Sequence, residues 1–140
     1  PTTALKFTAQ VRQIGGQHRQ TDSRAILTAT LFHRWIEQGS FEIADAQHPI
    51  TRGLTNFTTS DELYTCLTGD APIHLLAHAR SKVDQKYHPQ AFVREYGAGR
   101  IFLTTLGHDV NAYTNNPAVG ELLRRGTAWS AKQPATIQSN

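Results

Sequence analysis

Apolar and polar positions change period several times along the chain, and each change marks an element. Residues 1–23 mix Thr, Gln and Arg around Gly15-Gly16 without a sustained period, which reads as an extended or looped entry. From Ala25 to Gln38 the positions Ile26, Leu27, Leu31, Phe32, Trp35 and Ile36 fit a helical stripe, and Gly39 supplies its stop. Phe41 to Asp45 alternates with period two and predicts a short strand. The following His48-Pro49-Ile50-Thr51-Arg52-Gly53 reads as a turn, because the proline keeps His48 out of the right-handed helical region. Thr59-Ser60-Asp61-Glu62 has the form of a capping box before Leu63 to Leu67, yet those five residues also alternate as a strand does, so both readings stay open.

The second half is more regular. Ile73 to Ala79 is a nearly continuous apolar run of strand length, the pattern of a strand covered on both faces, and Asp84 to His88 reads as loop. Pro89 suits the first position of a helix that carries Phe92, Val93 and Tyr96 and ends at Gly97 and Gly99. Ile101 to Leu106 is the clearest strand and breaks at Gly107-His108-Asp109. Asn116 and Pro117 then predict the start of a helix over residues 117–131, with Val119, Leu122, Leu123, Gly126 and Trp129 at helical spacing. From Lys132 the tail is polar. Strands alternating with helices from residue 73 onward predict an α/β layer fold with a mostly parallel sheet.

Composition narrows the class. The 140 residues are 39% apolar with ten glycines, as in an ordinary globular domain too short to divide in two. No apolar run has the roughly 20 residues of a membrane span, so no membrane partner is expected. Net charge is +3, and the largest cationic cluster, Arg124-Arg125, is too small for a nucleic-acid footprint. Cys66 stands alone, which excludes an internal disulfide and a thiolate zinc cluster and leaves the compartment open. The chain begins at Pro1 and holds no methionine, so a preceding segment in the parent is expected. No phosphate-cradling loop opens a helix: Gly97-Ala98-Gly99-Arg100 precedes a strand instead, and no nucleotide cofactor is expected.

Candidate chemistry gathers at strand ends, where open α/β sheets bind ligands. His108 is the best single candidate, as general base or metal ligand with Asp109 or another carboxylate orienting it. The alternative makes Asp109 a cap and His108 a plain hydrogen-bonding side chain. Asp61 and Glu62 are adjacent carboxylates, one of which could enter a site while the other stays solvated, with capping as the alternative; Tyr64 nearby offers a phenol hydroxyl, with half-buried packing as its alternative. His74 and His78 have the i, i+4 spacing of zinc ligands but lie in a strand-like run with Leu75 where a catalytic glutamate would stand. His48 and His18 sit on loops, where binding residues concentrate. Cys66 lacks a nucleophile elbow and reads as a structural thiol.

Taken in order, His48-Pro49-Ile50-Thr51-Arg52-Gly53-Leu54, Asp61-Glu62-Leu63-Tyr64, Tyr96-Gly97-Ala98-Gly99-Arg100-Ile101-Phe102, Leu106-Gly107-His108-Asp109 and Arg125-Gly126-Thr127-Ala128-Trp129 resemble the ThuA-like (trehalose utilisation) family. The resemblance covers about residues 41–131, and Gly15-Gly16-Gln17-His18 resembles the glycine–histidine stretch that precedes it. It implies a fold of the class I glutamine amidotransferase-like superfamily, a flavodoxin-like three-layer sandwich, with residues 1–131 as one family domain lacking its first βα units and residues 132–140 as a polar tail. It implies a role in bacterial sugar catabolism, in the cytoplasm or periplasm, with a small carbohydrate-derived ligand and a homo-oligomer as an open alternative. By motif, His108, Asp109 and Glu62 become the candidate catalytic residues, and Tyr64, His48 and His18 the candidate substrate-binding ones. Cys66 does not match the superfamily's nucleophile, so glutamine amide hydrolysis is disfavoured. What remains is hydrolase-like or lyase-like work on a sugar derivative, with a divalent metal held by histidine and carboxylate as an option. The alternative is a non-catalytic carbohydrate-associated or protein-interaction module with structural histidines.

Overall fold

The computed structural model describes residues 28–29, 35–65 and 67–134. Its elements in chain order are β1 (Thr28–Ala29), β2 (Trp35–Ile43), β3 (Phe57–Glu62), β4 (Leu67–Thr68), β5 (His74–Arg80), β6 (Tyr87–Tyr96), β7 (Gly99–Thr104), α1 (Val110–Thr114) and α2 (Pro117–Ser130). Five strands form one sheet in the order β3-β2-β5-β6-β7, and β1 pairs with β4 in a separate two-stranded ladder. The architecture is mixed α/β as expected, but every ladder of the large sheet is antiparallel. The mostly parallel sheet is therefore corrected.

The reason lies in two elements. Residues 89–96 form most of strand β6, where a helix is predicted from Pro89. Without that crossover helix, β6 and β7 join through the two residues Gly97-Ala98, and Gly97 carries a φ of +56° as the first residue of a tight hairpin turn. A connection that short can only join antiparallel neighbours. Pro89 is tolerated because β6 pairs there with His78 next to a register shift in β5, while the ladder to β7 has already ended at Ala91 opposite Thr104. The helix predicted over residues 25–38 is corrected too: Trp35 onward is strand. Gly39 does not stop an element but lies where the β2–β3 register shifts, between Ile36 and Gly39.

The remaining expectations hold more closely. The turn at 48–53 closes with hydrogen bonds from the Thr51 and Arg52 amides to the His48 carbonyl. Asn116 caps α2 through its side chain, which accepts from the Ala118 amide, and Pro117 occupies the first turn. At Leu63 to Leu67 neither reading holds throughout: residues 59–62 belong to β3, residues 63–65 are irregular, and strand resumes only at Leu67 in β4.

Helix α2 lays Val119 and Leu122 on a core of Phe41, Ile50, Leu76, Ala77, Ala91 and Val93. Each such large side chain, withdrawn from water, stabilises the fold by about 1.5–3 kcal/mol. Gly126 allows the helix to approach β7, because a Cβ there would stand 2.2 Å from the Phe102 ring. The buried Arg125 fastens α2 to the 48–53 turn, donating from Nη1 to the Arg52 carbonyl at 2.6 Å and the Ile50 carbonyl at 3.4 Å. Its Nε donates to Glu121, which also takes a bidentate pair from Arg124.

Those bonds, from Arg124 first and then Arg125, outweigh partial burial and lower the Glu121 carboxyl from the ordinary 4.5 to about 2. The folded chain thus binds this proton less tightly than the unfolded chain. The resulting stability is complete above about pH 4.5 and is lost as the pH falls toward 2. Glu121→Gln should flatten the decline in melting temperature between pH 5 and pH 3 relative to wild type; parallel profiles for the two proteins would refute this role.

Candidate functional site

The site is built around a buried carboxylate. Asp61 lies near the C-terminal end of β3 and is 4% exposed. Its Oδ2 accepts the Gly107 amide at 2.5 Å, and its Oδ1 accepts the amides of His108 at 3.1 Å, Asp109 at 3.4 Å and its own neighbour Glu62 at 2.8 Å. Three successive amides aimed at one carboxylate form an anion-binding concavity of the backbone. Bonds of this charge-assisted kind are stronger than neutral ones. They fix the loop after β7 against the end of β3, although 46 residues separate Asp61 from Gly107.

Gly107 makes that loop passable. Its φ is +113°, and a Cβ would sit 1.5 Å from the Tyr113 hydroxyl, so both backbone conformation and space demand glycine. The next residue is thereby presented to β3. His108 Nδ1 stands 3.1 Å from the Glu62 carboxylate Oε2 and 3.1 Å from the Tyr64 hydroxyl. Glu62 is buried, while the His108 side chain is 37% exposed, so the carboxylate lies beneath the imidazole and the ring faces outward. Burial first, and then the hydrogen bond and charge of Glu62, push the Tyr64 phenol above its ordinary value. Tyr64 therefore serves as a hydroxyl donor at neutral pH.

A second buried polar side chain holds Tyr64 in place. Gln90 on β6 is fully buried; its Nε2 donates to the Tyr64 carbonyl at 3.0 Å, and its Oε1 accepts from the Thr105 hydroxyl at 2.6 Å. One carboxamide thus ties the segment after β3 to the segment leaving β7. Neither Asp61 nor Gln90 carries this role in the sequence reading, which leaves the Asp61-Glu62 pair between a site and capping and gives Gln90 nothing. Both act across more than a dozen residues, where local pattern is silent.

His108 Nδ1 is hydrogen-bonded to the Tyr64 hydroxyl and lies within ion-pair distance of the Glu62 carboxylate. A hydroxyl and a carboxylate against one imidazole nitrogen fix the orientation of the ring.

The other candidates lie elsewhere. Asp109 accepts the Asn111 amide at 2.8 Å and is the N-cap of α1, so its carboxylate serves that helix. His48 joins His74 and Trp129, with ring centroids 5.3 and 5.4 Å from its own, and His74 Nε2 stands 2.7 Å from Asp45. This group follows the C-terminal end of β2 and the N-terminal end of β5, whereas Glu62 and His108 follow the opposite strand ends. Burial, then the charge of His74, lowers the His48 imidazole below its ordinary value, against the pull of Asp45. His78 stands 3.6 Å from Glu42. His18 and Cys66 lie outside the described residues. Among the described residues no group of three or more His, Cys, Asp or Glu side chains is placed to hold a metal ion.

Asp61→Asn turns an amide NH2 toward backbone N–H donors, and it should cost about 2 kcal/mol in denaturant unfolding at pH 7. An unchanged midpoint would show that the loop is held by something else.

Comparison with known proteins places this geometry in a family. The model of the ThuA family, described as trehalose utilisation, matches residues 4–130. A crystal structure of a ThuA-like protein from Parabacteroides merdae is similar at 28% identity and a TM-score of 0.62, over 76% of this chain and 42% of that one. The chain thus spans less than half the length of that relative. No curated protein matches it. With the family model covering nearly the whole length, the chain belongs to the ThuA, or trehalose utilisation, family.

Proposed function

We propose that Glu62, Tyr64 and His108 form a site that binds and transforms a small carbohydrate-derived ligand, with His108 as the acid/base group. The convergence of the Glu62 carboxylate and the Tyr64 hydroxyl on His108 Nδ1, each at 3.1 Å, carries the reading. Family membership supports the ligand class, since trehalose utilisation is its description.

In this reading His108 Nε2 takes a proton from a sugar hydroxyl, or from a carbon beside a carbonyl, and Glu62 stabilises the imidazolium that results. Tyr64 donates from its hydroxyl to the carboxylate side of the pair and holds the ring orientation. Asp109 contributes through its carboxylate, which caps α1 where the loop ends. Such a step suits a hydrolase-like or lyase-like reaction on a sugar derivative. The family match over residues 4–130 also supports treating residues 1–131 as one domain.

The test compares wild type with His108→Ala in thermal melts against sugars that include trehalose. Ligand that binds only the native state raises the midpoint by mass action. We expect a midpoint that rises with sugar concentration in wild type and a shift that the variant loses, with under about 1 kcal/mol of change in the unliganded stability because the imidazole is partly exposed. Where turnover is followed, the loss should be about 10²-fold or more. Equal shifts in both proteins, or a variant that melts far lower and still binds, would favour a structural histidine in a binding module.

A further inference from the structure

Beside the His108 site the edge strand β3 and helix α1 enclose a cavity of about 170 Å³, lined by Thr58, Thr59, Ser60, Asn111, Asn115 and Asn116. Every lining residue carries a polar, uncharged side chain; on β3 Thr58 and Ser60 lie on one face with exposed side chains, and Thr59 between them is buried. An anion or cation meets no side chain of opposite charge there. A polyol fits, because each of its hydroxyls both donates and accepts, as hydroxyls and carboxamides do.

The walls are fixed independently of any ligand. At one end Asn116 Nδ2 donates to the Thr58 carbonyl at 2.8 Å. At the other, the Asp61 carboxylate holds the amides of Gly107 and His108, and Asp109 in turn holds both the amide and Nδ2 of Asn111. With its Nδ2 engaged, Asn111 retains its Oδ1 as an acceptor. The groove is thus built from the strand that carries Glu62 and the helix that follows the loop carrying His108. A strand rises about 3.3 Å per residue, which places Ser60 about 7 Å along β3 from Glu62.

The volume limits the occupant. Pockets for drug-sized ligands start at about 300 Å³. This cavity takes one ring-sized group and not a whole disaccharide. We propose that the groove between β3 and α1 is a subsite for the second ring of a saccharide whose first ring stands at His108. The proposal rests on the carbohydrate reading above and adds where the part of the substrate remote from the reacting atoms is held. Binding energy from such a remote part is what positions the reacting part.

The experiment titrates trehalose and glucose separately into wild type, Thr58→Val, Asn115→Ala and His108→Ala, with a melt of each variant to verify folding. Thr58→Val removes one hydroxyl at constant shape, and Asn115→Ala removes one carboxamide from an exposed position. Each should lower the preference for trehalose over glucose about tenfold, the effect of one lost hydrogen bond. His108→Ala should weaken both sugars and leave that preference in place. Groove variants that keep the wild-type preference, while His108→Ala abolishes binding, would overturn the subsite and spare the His108 reading. Wild type that binds neither sugar would overturn both. Trehalose binding that the groove variants abolish and His108→Ala leaves intact would overturn the two-ring placement together with the role of His108.

Discussion

The contact between the Asp61 carboxylate and the backbone of residues 107–109 determines where the rest of the site stands. A strand that ends in Thr104 has no intrinsic reason to deliver the following loop to the far edge of the sheet, four strands away in the order β3-β2-β5-β6-β7. A buried carboxylate needs donors, and amides leaving a strand need acceptors. Each supplies the other at 2.5–3.4 Å, so the edge strand and the loop are joined by mutual necessity. Once joined, Glu62 falls beneath His108, Asp109 starts α1, and α1 roofs β3.

Two further polar contacts extend the same logic. Gln90, fully buried in β6, satisfies its carboxamide by holding the segments that carry Tyr64 and leave β7. Arg125, buried in α2, satisfies its guanidinium on the carbonyls of the 48–53 turn and on Glu121. In each case a polar group in the interior costs free energy unless fully bonded, and the bonds it makes determine which loops sit together. The apolar core packs helix on sheet without such specificity. The strand ends are then specialised: one end carries Glu62, Tyr64 and His108, and the other carries His48, His74 and Asp45 beside Trp129.

Legibility in the sequence follows the range of the interactions. Helix α2 is readable because Asn116, Pro117 and the apolar spacing are local signals of its start and face. The turn at 48–53 is readable for the same reason. Strand β6 is hidden: Pro89 to Val93 are all buried, which erases the period-two alternation, and a proline in front imitates a helix start. Strand β2 is hidden by its register shift at Gly39, which breaks the pattern where a helix stop is expected. The parallel topology fails as a consequence of these two elements, since antiparallel hairpins replace the supposed crossovers. At the site, the proximity of His108, Glu62 and Tyr64 is suggested by motif and by the rule that ligands gather at strand ends. The role of Asp61 is not legible, because a carboxylate before a helix-like pattern reads as a cap and its true partners are 46–48 residues away.

Amide hydrogen exchange resolved by residue tests the central contact most directly. Gly107 and His108 precede a short helix on a loop, and their N–H groups donate to the carboxylate of Asp61. Bonded to that buried acceptor, both amides should exchange on the timescale of the sheet and lose protection together in Asp61→Ala. Exchange as fast as that of the exposed turn at residues 82–84 would contradict the account.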